Sequence, residues 1–500
     1  MSGGSRRGSG DAGSSGTGTT GGPARRSDPA RRCDPARYAA FALLRAVDDG
    51  AYANLELPAI LRRARLSGRD AAFATELAYG TLRWRGFYDA VIAIAAQRPV
   101  SAIDAGVLDV LRLGAHQVLS MRVPPHAATD QSVALAREVS GRAATGFVNA
   151  VTRRIAEHSA QHWQDTVAQA AGGGIAGVAA RSSHPQWIVS ALRQALLGHG
   201  SSTKEDVDGD LAALLAADNE AAKVTLVARP GLATTAELIA HGGRAGRWAP
   251  TAVVLDHGLP SAIAQVRDGR AAVQDEGSQV LTLAFAAAST SVTGDAARRW
   301  LDMCAGPGGK SGILAGLALQ AGAHLVANDV SEHRAQLVAK TLAAARAAAP
   351  GHGACIEIRT GDGRSIGQDE PAAYERVLLD APCTGLGALR RRPEARWRRT
   401  PQDVAALAPV QRDLLRSALD AVAPGGVVGY ATCSPHLAET RFVVHDVVRS
   451  RTDVDIVDAR PAVEAVSGGA LSGLGDGPFV QLWPHLHGTD GMFFAVLARR

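Results

Sequence analysis

Cysteine is scarce in this chain of 500 residues. Cys33, Cys304, Cys355, Cys383 and Cys433 form an odd set of five, with no CxxC pair and no histidine cluster beside them. A disulfide framework and a structural zinc site are thereby excluded, no metal is expected, and a reducing cytoplasm fits best. Long apolar runs are also missing: no window offers the roughly 18 uninterrupted apolar residues of a membrane helix. The first residues carry arginines without an apolar stretch behind them, so no secretory signal and no membrane partner are expected. Charge of one sign is in modest surplus. A net charge of +5 and a pI near 9.1 tilt only slightly toward polyanionic partners.

What is present is apolar content, 46% over the whole length, too much for one ordinary core, so two or three domains are expected. Residues 1–35 are rich in Gly, Ser and Thr and carry Arg6, Arg7, Arg25, Arg26, Arg31 and Arg32, a composition that predicts a disordered basic arm. Over 36–165 apolar residues recur at helical spacing, as in Phe41, Leu44 and Val47 or Ile103, Val107, Val110 and Leu111. Roughly five to seven helices follow, with breaks at Gly50, Ser67 and Gly68, Pro99, and Pro124 and Pro125, and with Asp70 and Ser101 as N-caps. Gly172 to Gly174 reads as a linker. A small mixed α/β segment over 180–290 then offers strands at 223–229 and 251–255 and a helix at 234–241. From 291 to 500 short apolar runs at 300–305, 325–330, 355–359, 377–381, 427–431 and 492–497 alternate with Ala-rich helical stretches. Such alternation predicts a mainly parallel, Rossmann-like sheet with ligands at the carboxyl ends of its strands.

One strand-to-helix turn stands out: Cys304, Ala305, Gly306, Pro307, Gly308, Gly309 and Lys310. Glycines there let backbone approach a ligand, and the helix N-terminus after them favours an anionic group. A phosphate-binding P-loop needs glycine six residues before the lysine, where this chain has Cys304. A dinucleotide fingerprint needs a third glycine, and Gly312 falls one residue late. Asp329, at the end of the second strand, is placed to accept ribose hydroxyls. Asp362 follows the third strand, where a carboxylate can accept an adenine amine, and Asp380 ends the fourth.

Cys383, in Asp-Ala-Pro-Cys-Thr-Gly, and Cys433, in Ala-Thr-Cys-Ser-Pro, lie fifty residues apart, each in a turn at a strand end. Cys33 and Cys355 read as small buried apolar residues. Methylating carbon 5 of cytosine requires a nucleophile added first at carbon 6, and a thiolate suits that step. A second group must then help the carbon 5 proton leave.

Together the loop through Lys310, the three acids and the two cysteine segments resemble the RNA cytosine-5 methyltransferases of the NOL/NOP/Sun, or Fmu, family. The resemblance implies S-adenosylmethionine (SAM) held by residues 304–310, Asp329, Asp362 and Asp380. It implies Cys433 as nucleophile, Cys383 as the group that helps product release and Asp380 as a catalytic contact to the cytosine ring. DNA cytosine methyltransferases attack with the Pro-Cys cysteine instead, so DNA is not the expected partner. Gly306 replaces an alanine common in the family, small for small. Glu439 is followed by Thr440 where the family often has asparagine, and residues 483–494 match its closing hairpin.

Between the cysteines, Arg390, Arg391, Arg392, Arg396, Trp397, Arg398 and Arg399 suggest phosphate contacts and stacking on an unpaired base. The helical segment resembles the NusB antitermination factor, an RNA-binding fold. A NusB-like domain ahead of a Sun-type domain resembles the bacterial enzymes that methylate one cytosine of 16S ribosomal RNA. A monomeric enzyme acting on that RNA is the expectation. Transfer RNA as substrate, a non-catalytic RNA-binding protein and a small-molecule methyltransferase are the rivals.

Overall fold

Apolar residues three and four apart give each N-terminal helix one stripe to bury, and the stripes meet in a common core. The computed structural model of the protein describes residues 33–500. Helices Pro35–Asp48, Ala53–Arg63, Gly68–Arg83, Arg85–Ala96, Ala105–Leu119, Pro125–Ser140 and Ala143–Ala156 enclose Leu43, Leu77, Tyr88, Ile92 and Leu111. The arm expected over 1–35, with its six arginines, lies outside the described residues up to position 32. At its end Cys33 packs against the helical core, and the Asp34 carboxylate caps the first helix by accepting from the Arg37 N–H at 3.0 Å. Asp104 caps the fifth of these helices in the same way, through Val107. Ser101 lies in a short 3-10 turn before it, and Ser67 holds the N-cap position expected of Asp70. Asp70 instead falls in the first turn, where its charge complements the helix dipole. Gly172 to Gly174, all with positive φ, form a tight turn between packed helices Ala160–Ala170 and Gly174–Ser182, where a linker was expected.

Two further helices, Gln186–Gly198 and Val207–Asp218, share a core with Leu386, Leu389 and Trp483 of the C-terminal region. After them β1 (Thr225–Ala228), β2 (Gly243–Ala245), β3 (Ala252–Leu255) and β4 (Ala271–Val273) form an antiparallel sheet in the order β2-β3-β1-β4.

The C-terminal sheet contains β5 (Arg299–Asp302), β6 (His324–Asp329), β7 (Cys355–Thr360), β8 (Tyr374–Asp380), β9 (Val422–Thr432), β10 (Val454–Val457), β11 (Val480–Gln481) and β12 (Phe493–Arg499). Its order is β10-β12-β9-β8-β5-β6-β7, with β11 paired to β12. Strands β5 to β9 run parallel, and β12 returns antiparallel to β9, with Phe493 opposite Thr432. Cys355 is exposed rather than buried, because it begins the edge strand β7. The order reverses at β5, which pairs with β6 on one side and β8 on the other. At such a switch point open α/β sheets take their ligands in the crevice beyond the carboxyl ends, and Asp302, Asp329 and Asp380 stand at those ends.

Candidate active site

The turn after β5 carries the chain into helix Gly309–Ala321. Gly308 takes φ +106° at its N-cap, and a Cβ there would lie 2.8 Å from Thr341, so conformation and space both require glycine. Gly306 donates its N–H to Asp329 Oδ2 at 3.0 Å. A Cβ on Gly306 would lie 2.5 Å from that oxygen and 2.8 Å from Arg334 Cβ. Glycine for alanine is therefore not a neutral exchange here; alanine would push Asp329 and Arg334 aside.

Asp329 also accepts from Ser331 N at 2.9 Å and pairs with Arg334 at 3.0 Å. Asp362 caps helix Gly363–Asp369 through Arg364 N and pairs with that guanidinium at 2.6 Å, which holds its carboxyl below the usual range. With the loop N–H groups at one helix start and these acids at adjacent strand ends, the crevice fits SAM. Its carboxylate would suit the helix N-terminus, whereas Asp329 and Asp362, expected at its ribose and adenine, are here paired with Arg334 and Arg364.

Asp302, passed over in the sequence, lies at the floor of this crevice. It is buried, and Oδ2 accepts from Ser311 Oγ at 2.6 Å. Burial first, and the nearby charge of Asp380, push its carboxyl up to about 7 against the pull of Ser311 and Lys310. Between the unfolded value near 4 and about 7 the folded state holds a proton that the unfolded chain has released. Asp302 thus contributes stability that is complete below pH 4 and lost as pH rises through 7. We predict that urea midpoints of the unmodified protein fall over this window, Asp302 contributing at most about 1.4 kcal/mol per pH unit. Asp302→Asn should remove that contribution; an unchanged slope would contradict the assignment.

Lys310 is buried in the first turn of the helix, with Nζ 2.7 Å from Asp380 Oδ2. Burial opposes its charge, but Asp380 outweighs burial and holds the ammonium above its ordinary value. Beyond Asp380, the turns after β8 and β9 bring Cys383 Sγ to 3.5 Å from Cys433 Sγ, both partly exposed. The two sulfurs are unequal. The sulfurs share one hydrogen bond in which either can donate; that bond lowers the Cys433 thiol, with Lys310 and Arg392 assisting against burial and Asp380. The same hydrogen bond, burial, and the charges of Cys433, Glu439 and Asp380 push Cys383 well up. Cys433 is the sulfur that ionises first.

Both turns are anchored by protein groups. The Cys433 carbonyl accepts from Gly387 N at 2.8 Å, and Gln411 Nε2 donates to the Pro382 carbonyl at 2.8 Å. Glu439, fully buried, accepts from Thr384 N at 2.7 Å, Thr384 Oγ1 at 2.5 Å and Ser434 Oγ at 2.6 Å. The sequence displays Glu439 but not these partners, since Thr384 lies 55 residues away.

The arginine segment departs most from expectation. Arg396, taken as an RNA contact, is 0% exposed and donates to the carbonyls of Arg83, Ser183 and Asp218 and to Asn219 Oδ1. Those carbonyls end three helices, where unpaired C=O groups and the helix dipole attract a cation. Arg398 likewise donates to the carbonyls of Val47 and Ala51, each at 2.6 Å. Arg390 binds the Gly488 carbonyl and Asp490, while Arg391 pairs with Asp275 at 2.7 Å and Asp490 at 3.1 Å. Arg391, Arg396 and Arg398 tie this segment to other parts of the chain, and Arg390 is held within the C-terminal region. Trp397, 37% exposed, rests on Gly86, where a Cβ would come within 2.2 Å of its ring. Arg392 is exposed and makes no side-chain ion pair or hydrogen bond among the described residues.

Residues 291–498 match the family model for 16S rRNA methyltransferase RsmB/F, and residues 34–157 match the NusB family model. The provisionally named methyltransferase Rv1407 of Mycobacterium tuberculosis is 51% identical over 464 residues, covering 92% of this chain and 96% of its own. The ribosomal RNA small subunit methyltransferase B of Vibrio cholerae is 29% identical over 474 residues, covering 92% of this chain and 96% of its own. In fold, the crystal structure of PH0851 superposes with a TM-score of 0.72 at 18% identity, covering 95% of this chain and 99% of that one.

Proposed function

The chain belongs to the 16S rRNA methyltransferase RsmB/F family, and from that premise we propose that this SAM-dependent RNA methyltransferase methylates carbon 5 of one cytosine in 16S ribosomal RNA. The observation that carries the reading is the pair of unequal thiols 3.5 Å apart beside the glycine-lined crevice.

In this reading the Cys433 thiolate adds to carbon 6, and the electron pair of the 5,6 double bond becomes available at carbon 5. Bound SAM supplies an electrophilic methyl group. Asp380, with one oxygen held by Lys310, offers its other oxygen to the polar edge of the ring. Once Cys433 is bonded to carbon its negative charge is gone, so its hydrogen bond and repulsion no longer raise Cys383, and only burial and the charges of Glu439 and Asp380 still oppose its ionisation. Cys383 then gives its proton to solvent and takes the proton from carbon 5. The pair left by that proton reforms the double bond and expels Cys433 as thiolate. One proton is released for each methyl transferred. The target base must leave its stack unless it already lies in a loop.

The helical domain is the RNA-binding region, and Arg392 and Trp397 continue its reach to the crevice. Gly387 donates its N–H to the Cys433 carbonyl, and Arg392 N returns within one turn to the Ala388 carbonyl, so the backbone keeps the exposed Arg392 close to the Cys433 turn. Arg392→Ala should weaken RNA binding several-fold and reduce the salt dependence of binding by about one phosphate contact. Filter binding at several salt concentrations measures both, and an unaltered slope would remove Arg392 from the interface.

Methyl transfer from labelled SAM to unmodified 16S RNA, followed by nucleoside analysis, tests the activity. Label is expected in 5-methylcytidine, sensitive to ribonuclease treatment of the substrate. Label in another nucleoside, or in transfer RNA only, would contradict the reading.

A further inference from the structure

Glu439 serves neither cofactor nor base in the steps above, yet it is fully buried between the two reactive turns. Its partners reach it from three elements. Thr384, next to Cys383, gives a backbone N–H and a hydroxyl; Ser434, next to Cys433, gives a hydroxyl; Gln411 of helix Pro401–Ala421 approaches with Nε2 at 3.4 Å. All are donor-capable, and two are amide N–H groups that cannot accept, an arrangement built for a carboxylate anion. Tyr430 anchors the other side of the same turn by donating to the Glu439 carbonyl at 2.8 Å.

A buried anion in contact with the peptide that follows Cys383 makes a second negative charge on Cys383 costly. The opposite field acts on the other sulfur. Lys310 and Arg392 face Cys433 as positive charges, whereas Asp380 faces both sulfurs as a negative one. Two thiols that share one proton release it as a pair, and the surrounding charges decide which sulfur holds the negative charge.

We propose that Glu439 is a positioning residue that sets the division of labour between the cysteines: its buried charge keeps Cys383 as the protonated partner and so leaves the thiolate on Cys433. The proposal rests on the reading of Cys433 as nucleophile, but it is tested without RNA or turnover.

Brief treatment with limiting iodoacetamide at neutral pH, followed by peptide mass spectrometry, reports which sulfur displaces iodide first. The unmodified protein is expected to be alkylated predominantly at Cys433. In Glu439→Gln the Thr384 and Ser434 hydroxyls can turn from donating to accepting, so the clamp persists while the charge goes. The ratio of Cys433 to Cys383 alkylation should then fall about tenfold, the size of one pKa unit between the two sulfurs. Glu439→Asp, which keeps the charge and shortens the clamp, should retain the preference for Cys433. Binding of S-adenosylhomocysteine reports that each variant is folded. An unchanged ratio in Glu439→Gln, or a preference equally lost in Glu439→Asp, would overturn charge as the cause. An unmodified protein that reacts first at Cys383 would overturn the nucleophile assignment and this proposal with it.

Discussion

Cys433→Ala is expected to lose methyl transfer by on the order of 10⁴-fold or more and to leave no protein bound to RNA, because the addition that activates carbon 5 can no longer occur. Cys383→Ala should behave differently. Its Cys433 still adds to the base, and the methyl group still transfers, but the carbon 5 proton has lost its acceptor. Turnover should slow by about 10² or more, and a protein covalently joined to methylated RNA should build up. A denaturing gel separates the two results: a slow-migrating band for Cys383→Ala and none for Cys433→Ala. Equal behaviour of both variants would contradict the assigned roles. The 3.5 Å between the sulfurs makes the test demanding, since a variant at either position alters the surroundings of the other. The asymmetry nevertheless follows from which sulfur ionises first, and that follows from the groups around each.

The second large effect is on stability. Arg396→Ala would leave four acceptors without their donor in a sealed junction: the carbonyls of Arg83, Ser183 and Asp218 and the amide oxygen of Asn219. It would also remove the positive charge beside the buried carboxylate of Asp218. Losing one partner of a buried charged network costs about 3–5 kcal/mol. The first urea transition of Arg396→Ala should therefore move to markedly lower denaturant, with the helical region released from the sheet domain. Arg392→Ala, exposed and unpaired among the described residues, should unfold like the unmodified protein. A wild-type midpoint for Arg396→Ala would show that the junction carries no such energy.

The arginine segment also marks where sequence reasoning stops. Six arginines around Trp397 have the composition of an RNA-binding loop, and nothing in that stretch states that the ends of helices Gly68–Arg83, Gly174–Ser182 and Val207–Asp218 converge on Arg396. Convergence is a property of the packed domains, and it decides whether a guanidinium meets phosphate or carbonyl. The role of Glu439 stayed hidden for the same reason. Its donors come from two turns and a helix that are adjacent only after the sheet has formed. By contrast, the glycine turn, the strand-end acids and the two cysteines were legible because strand, turn and helix carry them as contiguous motifs. Local caps fell between these cases. Asp104 and Ser67 sit a few residues from Ser101 and Asp70, and chemically similar side chains compete for a helix start. Strands β2, β4 and β11 are too short for an alternating run to declare them, and the edge position of Cys355 depends on the order of strands that no single segment contains.

The most direct test of the account uses 16S RNA carrying 5-fluorocytidine, in which fluorine replaces the proton that must leave carbon 5. Fluorine cannot depart as a cation, so the base stays attached to the sulfur that attacked it. After ribonuclease and protease digestion, mass spectrometry is expected to find a methylated fluorocytidine on the peptide containing Cys433. The same adduct on Cys383, or complete absence of an adduct while ordinary RNA is methylated, would contradict it.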